Sequence, residues 1–199
     1  ILLCTPLTII NAQRPAVTIV CVVDQLAEHL LTRHQRFLTG GLKKLLDHGL
    51  VYHNAHYPHA QPATATGHAA LATGAPASVH GIVANEWIEN NHTVKACDDT
   101  DVANAGVFGH RTQRKKGRSA RALNAPTLTR SCLLQETPFT SLSLSLKSRA
   151  AIPTAGQYGT AIWFDSAKGQ FTSSKAFGPR LPAWARVMNK QYLQKVVHQ

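Results

Sequence analysis

Four residues stand where their side chains could do chemistry: Asp24, Thr64, Lys147 and Arg149. Asp24 directly follows a hydrophobic, β-branched run. A carboxylate there is expensive to bury unless a cation or several donors meet it. It therefore reads either as a metal ligand or as the N-cap of the segment that follows. Thr64 sits where the sequence starts a helix. A hydroxyl at such a start faces free backbone N–H groups and the positive end of the helix dipole, a natural anion site. A metal beside it could lower the hydroxyl's pKa and make it a nucleophile. A plain N-cap threonine accounts for the same pattern, and Thr66 and Thr73 read as cap or turn residues. Lys147 and Arg149 flank Ser148 just past a strand-like segment. Two cations there could clamp the non-bridging oxygens of a phosphoryl group, or form a solvated surface pair.

The remaining chemistry-bearing types are less pointed. His68 and His80 each adjoin a glycine, and the sequence has no HxxxH or HExxH spacing for a helical zinc pair. His53, His56 and His59 could make a metal-binding surface or decorate a strand end and loop. Cys21, in an apolar run, reads as a small core residue. Cys97 and Cys132 could pair in an oxidising compartment, and no CxxC motif supports a cysteine zinc site. The basic cluster Arg111, Arg114, Lys115, Lys116, Arg118 and Arg121 reads as an exposed loop. No aromatic residue lies within 111–121 to stack on a base.

These residues need elements to hold them. Residues 16–23 (AVTIVCVV) suit a strand buried on both faces of a parallel sheet, ending at Asp24. Residues 25–39 read as helical up to the break at Gly40-Gly41. A short helix over 42–48 follows, with Leu42, Leu45 and Leu46 inward and Gly49 as its cap. Residues 50–55 return as a strand. A helix runs from Thr64 through Ala72, ended by Gly74 and Pro76. Residues 98–130 look irregular. Strict alternation over 140–146 (TSLSLSL) predicts a strand with one leucine face, ended by Lys147, and 161–164 predicts another. Pro182 could open a helix with Trp184, Met188, Tyr192 and Val196 on one face and Leu193 and Val197 beside them. Strands alternating with helices indicate an α/β sheet, whose ligands gather beyond the carboxyl ends of the strands. Asp24 and Lys147 both fall at such ends on this reading.

The 199 residues amount to one ordinary domain, and 44% apolar residues can fill a core. Only 16% are charged, too few for a solvated disordered chain. A formal charge of +11 permits nucleic acid, anionic lipid or phosphate-bearing partners and selects none of them. No repeat is visible, and no apolar run reaches the roughly 20 residues of a membrane-spanning helix. The opening ILLCTPLTII, followed by Asn11, Ala12 and Gln13, reads as a secretory signal clipped at its start, with a first buried strand as the alternative. Cys4 would leave with that signal.

Taken in order, several motifs form a specific series: VVDQ (22–25), GGxxxLL (40–46), TxTGH (64–68), TGxPxxxHGIxxNxW (73–87) and SLKSRAAIPxxG (145–156). With GRSARALNAPTL (117–128) and AIWFD…GQFTSS (161–174), the series resembles the alkaline phosphatase superfamily from Val17 to Ser174. Within it, the chain is similar to the periplasmic phosphate-monoesterase branch that uses a threonine nucleophile, related to the type I phosphodiesterase/nucleotide pyrophosphatases. The resemblance implies an αβα sandwich with a mostly parallel sheet, a periplasmic or secreted protein, and small-molecule phosphate monoesters as substrates. No specific nucleic-acid binding is expected. It implies hydrolysis through a phosphothreonine with two zinc ions. Asp24 would bind one zinc, and Thr64 would be the nucleophile and meet the same metal. Asn85 would contact a phosphate oxygen, and Lys147 and Arg149 would recognise the extra negative charge of a monoester.

The chain also departs from that pattern. The other zinc ligands of the family come from a region well downstream of the Lys-x-Arg motif, and of the ten acids here only Asp24 matches a ligand. Asp24 and Thr64 cannot complete a roughly four-coordinate zinc. Thr66 stands where relatives usually carry proline, and residues 129–140 fit poorly. Residues 14–199 are therefore expected to form the N-terminal part of such a domain, truncated on its C-terminal side and a poor catalyst by itself. An incomplete sheet would expose an edge and apolar surface. The competing readings are a non-catalytic, degenerate form of the same fold and a basic polyanion-binding module built on 111–121.

Overall fold

The computed structural model describes residues 16–57, 60–108, 117–134 and 138–193. The signal-like opening with Cys4, His59, the basic residues Arg111, Arg114, Lys115 and Lys116, and Val196 and Val197 lie outside the described residues. The chain divides into two compact units, Ile1–His53 and Asn54–Gln199.

The first unit holds α1 (Glu28–His34), a 3-10 turn (Gln35–Phe37) and α2 (Gly40–His48). None of its described residues is buried. Residues 16–23 form no strand, and Val17, Ile19 and Val23 stand more than half exposed, at 72%, 79% and 62%. A strand is defined by pairing, and no described strand supplies hydrogen bonds to this run. Cys21 is accordingly exposed rather than part of a core. Asp24 is exposed too, and the N-cap of α1 is Ala27, so Asp24 does not cap it. Gly49 ends α2 as expected, its N–H donating to the Leu45 carbonyl at 2.8 Å. Leu42 and Leu45 are exposed instead of facing inward, because no described element covers that side of α2. The strand expected over 50–55 is absent for the same want of a paired neighbour.

The second unit carries the core. α3 (Thr64–Thr73) and α4 (Ala77–His80) lead into a ribbon, β1 (Glu86–Glu89) with β2 (His92–Lys95). Asn90 and Asn91 turn that ribbon at positive φ, the geometry a two-residue hairpin loop needs. β3 (Asp98–Asp99), α5 (Val102–Ala105), β4 (Gly117–Arg118) and α6 (Leu128–Leu133) follow, with β3 and β4 pairing antiparallel. β5 (Leu142–Ser145), α7 (Ser148–Ala155) and β6 (Thr160–Asp165) make a βαβ unit whose strands run parallel. β7 (Gln170–Thr172) adds antiparallel on the other side of β6. α8 (Ala183–Met188) passes into a π-helical turn (Asn189–Leu193).

Small residues decide how this unit packs. Ala65 and Ala69 of α3, and Ala151, Ile152 and Ala155 of α7, are almost fully buried and share one core cluster with Ala161 and Trp163 of β6. Alanine faces let helix and sheet approach closely, and each buried contact adds dispersion energy. Gly74 ends α3 in the left-handed conformation. Pro153 interrupts α7, and its missing N–H leaves the Arg149 carbonyl without its helical donor.

Two expected faces turn out differently. The leucines of β5 point to solvent (Leu142 and Leu144, with Leu146 beyond, are 49%, 53% and 73% exposed), and its serines are half-buried. Alternation fixes two faces but does not say which one other elements cover. In α8 only Ala185 is buried, and Trp184 and Met188 remain partly exposed. No helix of the described residues is long and apolar enough to cross a membrane.

Candidate functional site

A cavity of about 460 Å³ opens in the second unit. Its position follows from the packing of α3 against α7, because Ala63, the N-cap of α3, and Ser148, the first residue of α7, both line it. Two helix N-termini thus border one cavity. Each presents backbone N–H groups without intrahelical partners and a partial positive charge, the setting in which anions bind.

Asn85 and Arg149 line the same cavity. The Asn85 side chain is held by its oxygen, which accepts the Ala65 N–H at 3.0 Å from the first turn of α3. Its NH₂ group is then the donor end of the amide. Arg149 is the second residue of α7, and among the described residues no carboxylate pairs with it. Thr64 and Lys147 are not cavity-lining themselves but are the chain neighbours of Ala63 and Ser148, which are. Thr64 is the first residue of α3 and half-buried, and the N-cap is Ala63, so the N-cap reading of Thr64 falls. Asp24 belongs to the other unit.

A further stretch of wall comes from Glu86 and Lys95 of the β1–β2 ribbon, Cys97 just before β3, and Arg118 of β4. Lys95 Nζ lies 3.3 Å from the Glu86 carboxylate, and Arg118 pairs with Asp98 across the ribbon. Sequence reasoning missed this wall. Arg118 was visible as one member of a basic cluster and of the 117–128 motif, with no role attached, and its acidic partner sits 20 residues away.

Cys97 and Cys132 are both free thiols, so the possible disulfide is not formed. Cys97 is buried, and its Sγ lies 3.9 Å from the Ser148 carbonyl. Burial pushes its thiol from 9.0 up to about 12, with Arg118 and Arg149 opposing the rise. The thiolate is the reactive form, so alkylation of the native chain at pH 8 is expected at exposed Cys21 and not at Cys97. Peptide mass mapping checks this, and rapid labelling of Cys97 would contradict it. The sign for stability follows from the same shift. Between pH 9.0 and about 12 the unfolded thiol ionises before the folded one, so the contribution is whole below 9.0 and shrinks as pH rises. Native chain is expected to lose stability between pH 8 and 10.5 more than a Cys97→Ala variant, measured by denaturant unfolding.

The histidines here are structural. His68 Nδ1 donates to the Thr64 carbonyl at 2.7 Å, and His80 Nδ1 accepts the Ile82 N–H at 3.1 Å. His56 bonds Asn54 at 2.6 Å, on the chain's exposed surface. Among the described residues no group of three or more His, Cys, Asp or Glu could hold a metal ion. Asp24 and Thr64 supply two oxygens, fewer than the roughly four ligands of zinc. The residues described do not by themselves fit a zinc centre.

The chain belongs to the type I phosphodiesterase / nucleotide pyrophosphatase family, whose sequence model matches residues 18–196. Among its relatives, alkaline phosphatase PafA of Elizabethkingia meningoseptica is 34% identical over 184 residues, covering 89% of this chain and 33% of PafA. Alkaline phosphatase PhoV of Synechococcus elongatus is 30% identical over 186 residues, covering 90% of this chain and 33% of PhoV. A crystal structure of PafA with four substitutions, at a threonine, an asparagine, a lysine and an arginine, superposes with a TM-score of 0.80 at 28% identity. It covers 88% of this chain and 35% of that one. The α/β architecture is thus that of the alkaline phosphatases, and the chain spans about a third of the length of these relatives.

Proposed function

We propose that this chain carries the phosphoryl-binding part of a phosphate-monoester hydrolase. One observation carries the reading: a single cavity is bordered by the N-termini of α3 and α7 and lined by Asn85 and Arg149. Spacing supports it. Thr64, Asn85, Lys147 and Arg149 are separated by 21, 62 and 2 positions, and the same intervals separate the four residues substituted in the PafA variant.

On this reading the helix termini, the Asn85 amide and the two cations hold the non-bridging oxygens of a monoester dianion. A diester carries less charge on those oxygens and gains less from the second cation. Thr64 Oγ1 attacks phosphorus, the bond from phosphorus to the ester oxygen breaks, and the alcohol departs with a proton. Water then cleaves the phosphothreonine, returning the threonine hydroxyl and inorganic phosphate. The resemblance implies zinc with Asp24 and Thr64 among its ligands, and the described residues do not fit such a centre. Because those donors are too few, no step is routed through a metal, and turnover by this chain alone is expected at background level. Phosphate binding without turnover is also what the non-catalytic form of the fold would show.

The test is a titration of the 199-residue chain with inorganic phosphate at low salt, followed by amide NMR. Saturable shifts are expected for the first turns of α3 and α7, and unmoved amides there would overturn the reading. For the nucleophile, Thr64→Ala is expected to keep phosphate affinity within about threefold. The same variant should lose any acid-stable label that the native chain takes up from a radiolabelled monoester. Label retained by Thr64→Ala would remove Thr64 from that role.

A further inference from the structure

The cavity holds a cation that the site described so far does not use. We propose that Arg118 is a further anion-contacting residue, a second guanidinium facing the same phosphoryl oxygens as Arg149, with its charge moderated by Asp98. The inference rests on the phosphoryl-binding reading of this cavity.

The two guanidinium-bearing residues reach one cavity from different elements, β4 and α7. Arg118 and Arg149 both line the cavity, and Cys97 lies between their elements. Cys97 adjoins Asp98, the partner of Arg118 on the neighbouring strand, and touches the Ser148 carbonyl next to Arg149. Burial raises the Cys97 thiol, and Arg118 and Arg149 both oppose that rise. Arg118 gives one nitrogen, Nη1, to Asp98. A guanidinium has five N–H donors, so the pair leaves others for a tetrahedral oxyanion. The counts of charge agree. Lys95 and Arg118 each have an acid, and Arg149 has none among the described residues, leaving the cavity about one positive charge in excess. Beyond the Lys147 and Arg149 pair, Arg118 is the cavity-lining cation whose acidic partner, Asp98, is not itself on the cavity wall.

The experiment measures the affinity of inorganic phosphate for the full chain by calorimetry at low salt. Arg149→Gln, Arg118→Gln and the double variant Asp98→Asn with Arg118→Gln are compared with native chain. Loss of a charge-assisted hydrogen bond is expected to weaken binding by about tenfold or more for each single variant. The double variant removes the unpaired Asp98 carboxylate as a cause and is expected to stay weak. Native affinity in the double variant would mean that Arg118 only neutralises Asp98, overturning the inference. So would an Arg118→Gln variant that binds like native chain while Arg149→Gln is weakened. If Arg149→Gln also binds like native chain, or native chain does not bind phosphate saturably, the reading of the cavity itself fails and takes the inference with it.

Discussion

An Asn85→Asp variant is expected to lose phosphate binding by about 100-fold or more while folding as well as the native chain. The asparagine has two jobs that this change separates. Its oxygen accepts the Ala65 N–H at the start of α3, at 3.0 Å, and an aspartate oxygen accepts it equally well. A negative charge beside a helix N-terminus is favourable by roughly 0.3–1 kcal/mol, so α3 should be as stable or slightly more so. The other end of the side chain changes from a neutral donor to a carboxylate that only accepts and repels an anion. Calorimetric titration with inorganic phosphate and a thermal melt, run on one sample, read both effects. Phosphate affinity close to native would take Asn85 out of the site. A large drop in melting temperature would show that the amide matters mainly to the fold.

Gly156→Ala is expected to destabilise the chain by about 2–5 kcal/mol, the sum of backbone strain and overpacking. Gly156 follows α7 at φ 65 and ψ −158, a region open to glycine and costly for any other residue. The same substitution meets a second obstacle. A Cβ there would sit 2.6 Å from Cγ2 and 2.7 Å from Oγ1 of Thr127, a buried side chain at the start of α6. Thr127 is buried at the start of α6, whose own Thr129 meets Ser141 by a 2.8 Å hydrogen bond, so the added atom finds little room. Denaturant unfolding measures the loss. Gly74→Ala makes a useful comparison, since it is also left-handed but has nothing within 4 Å of the added atom. It should cost about 1 kcal/mol. Equal losses at the two glycines would show that the contact with Thr127 is unimportant.

What the sequence made legible was mostly local. The helix ended by Gly74, the strand announced by TSLSLSL and the strand read over 161–164 all appear within a few residues of expectation. Each is written in short-range chemistry: a residue tolerant of positive φ, a period of two, a short apolar run. The strands expected over 16–23 and 50–55 were not, because pairing involves residues elsewhere in the chain. The candidate site divides in the same way. Thr64, Asn85, Lys147 and Arg149 were found through ordered motifs, and the cavity gathers Asn85 and Arg149 with the neighbours of the other two. Arg118 escaped because its role depends on Asp98 opposite it in a ribbon, and Cys97, for which the sequence offered only an open possibility of pairing, is part of the cavity wall.

The serine–leucine repeat of β5 has an effect on assembly of the sheet. Sliding this strand one step along β6 would turn its leucines inward and its serines outward, and the repeat itself offers little to resist that misalignment. The correct alignment is chosen just ahead of β5, at Ser141. Its carbonyl receives the Thr160 N–H at 2.9 Å, and its hydroxyl meets Thr129. One serine at the strand's entrance thus acts as a pin for a ladder whose own rungs are nearly interchangeable.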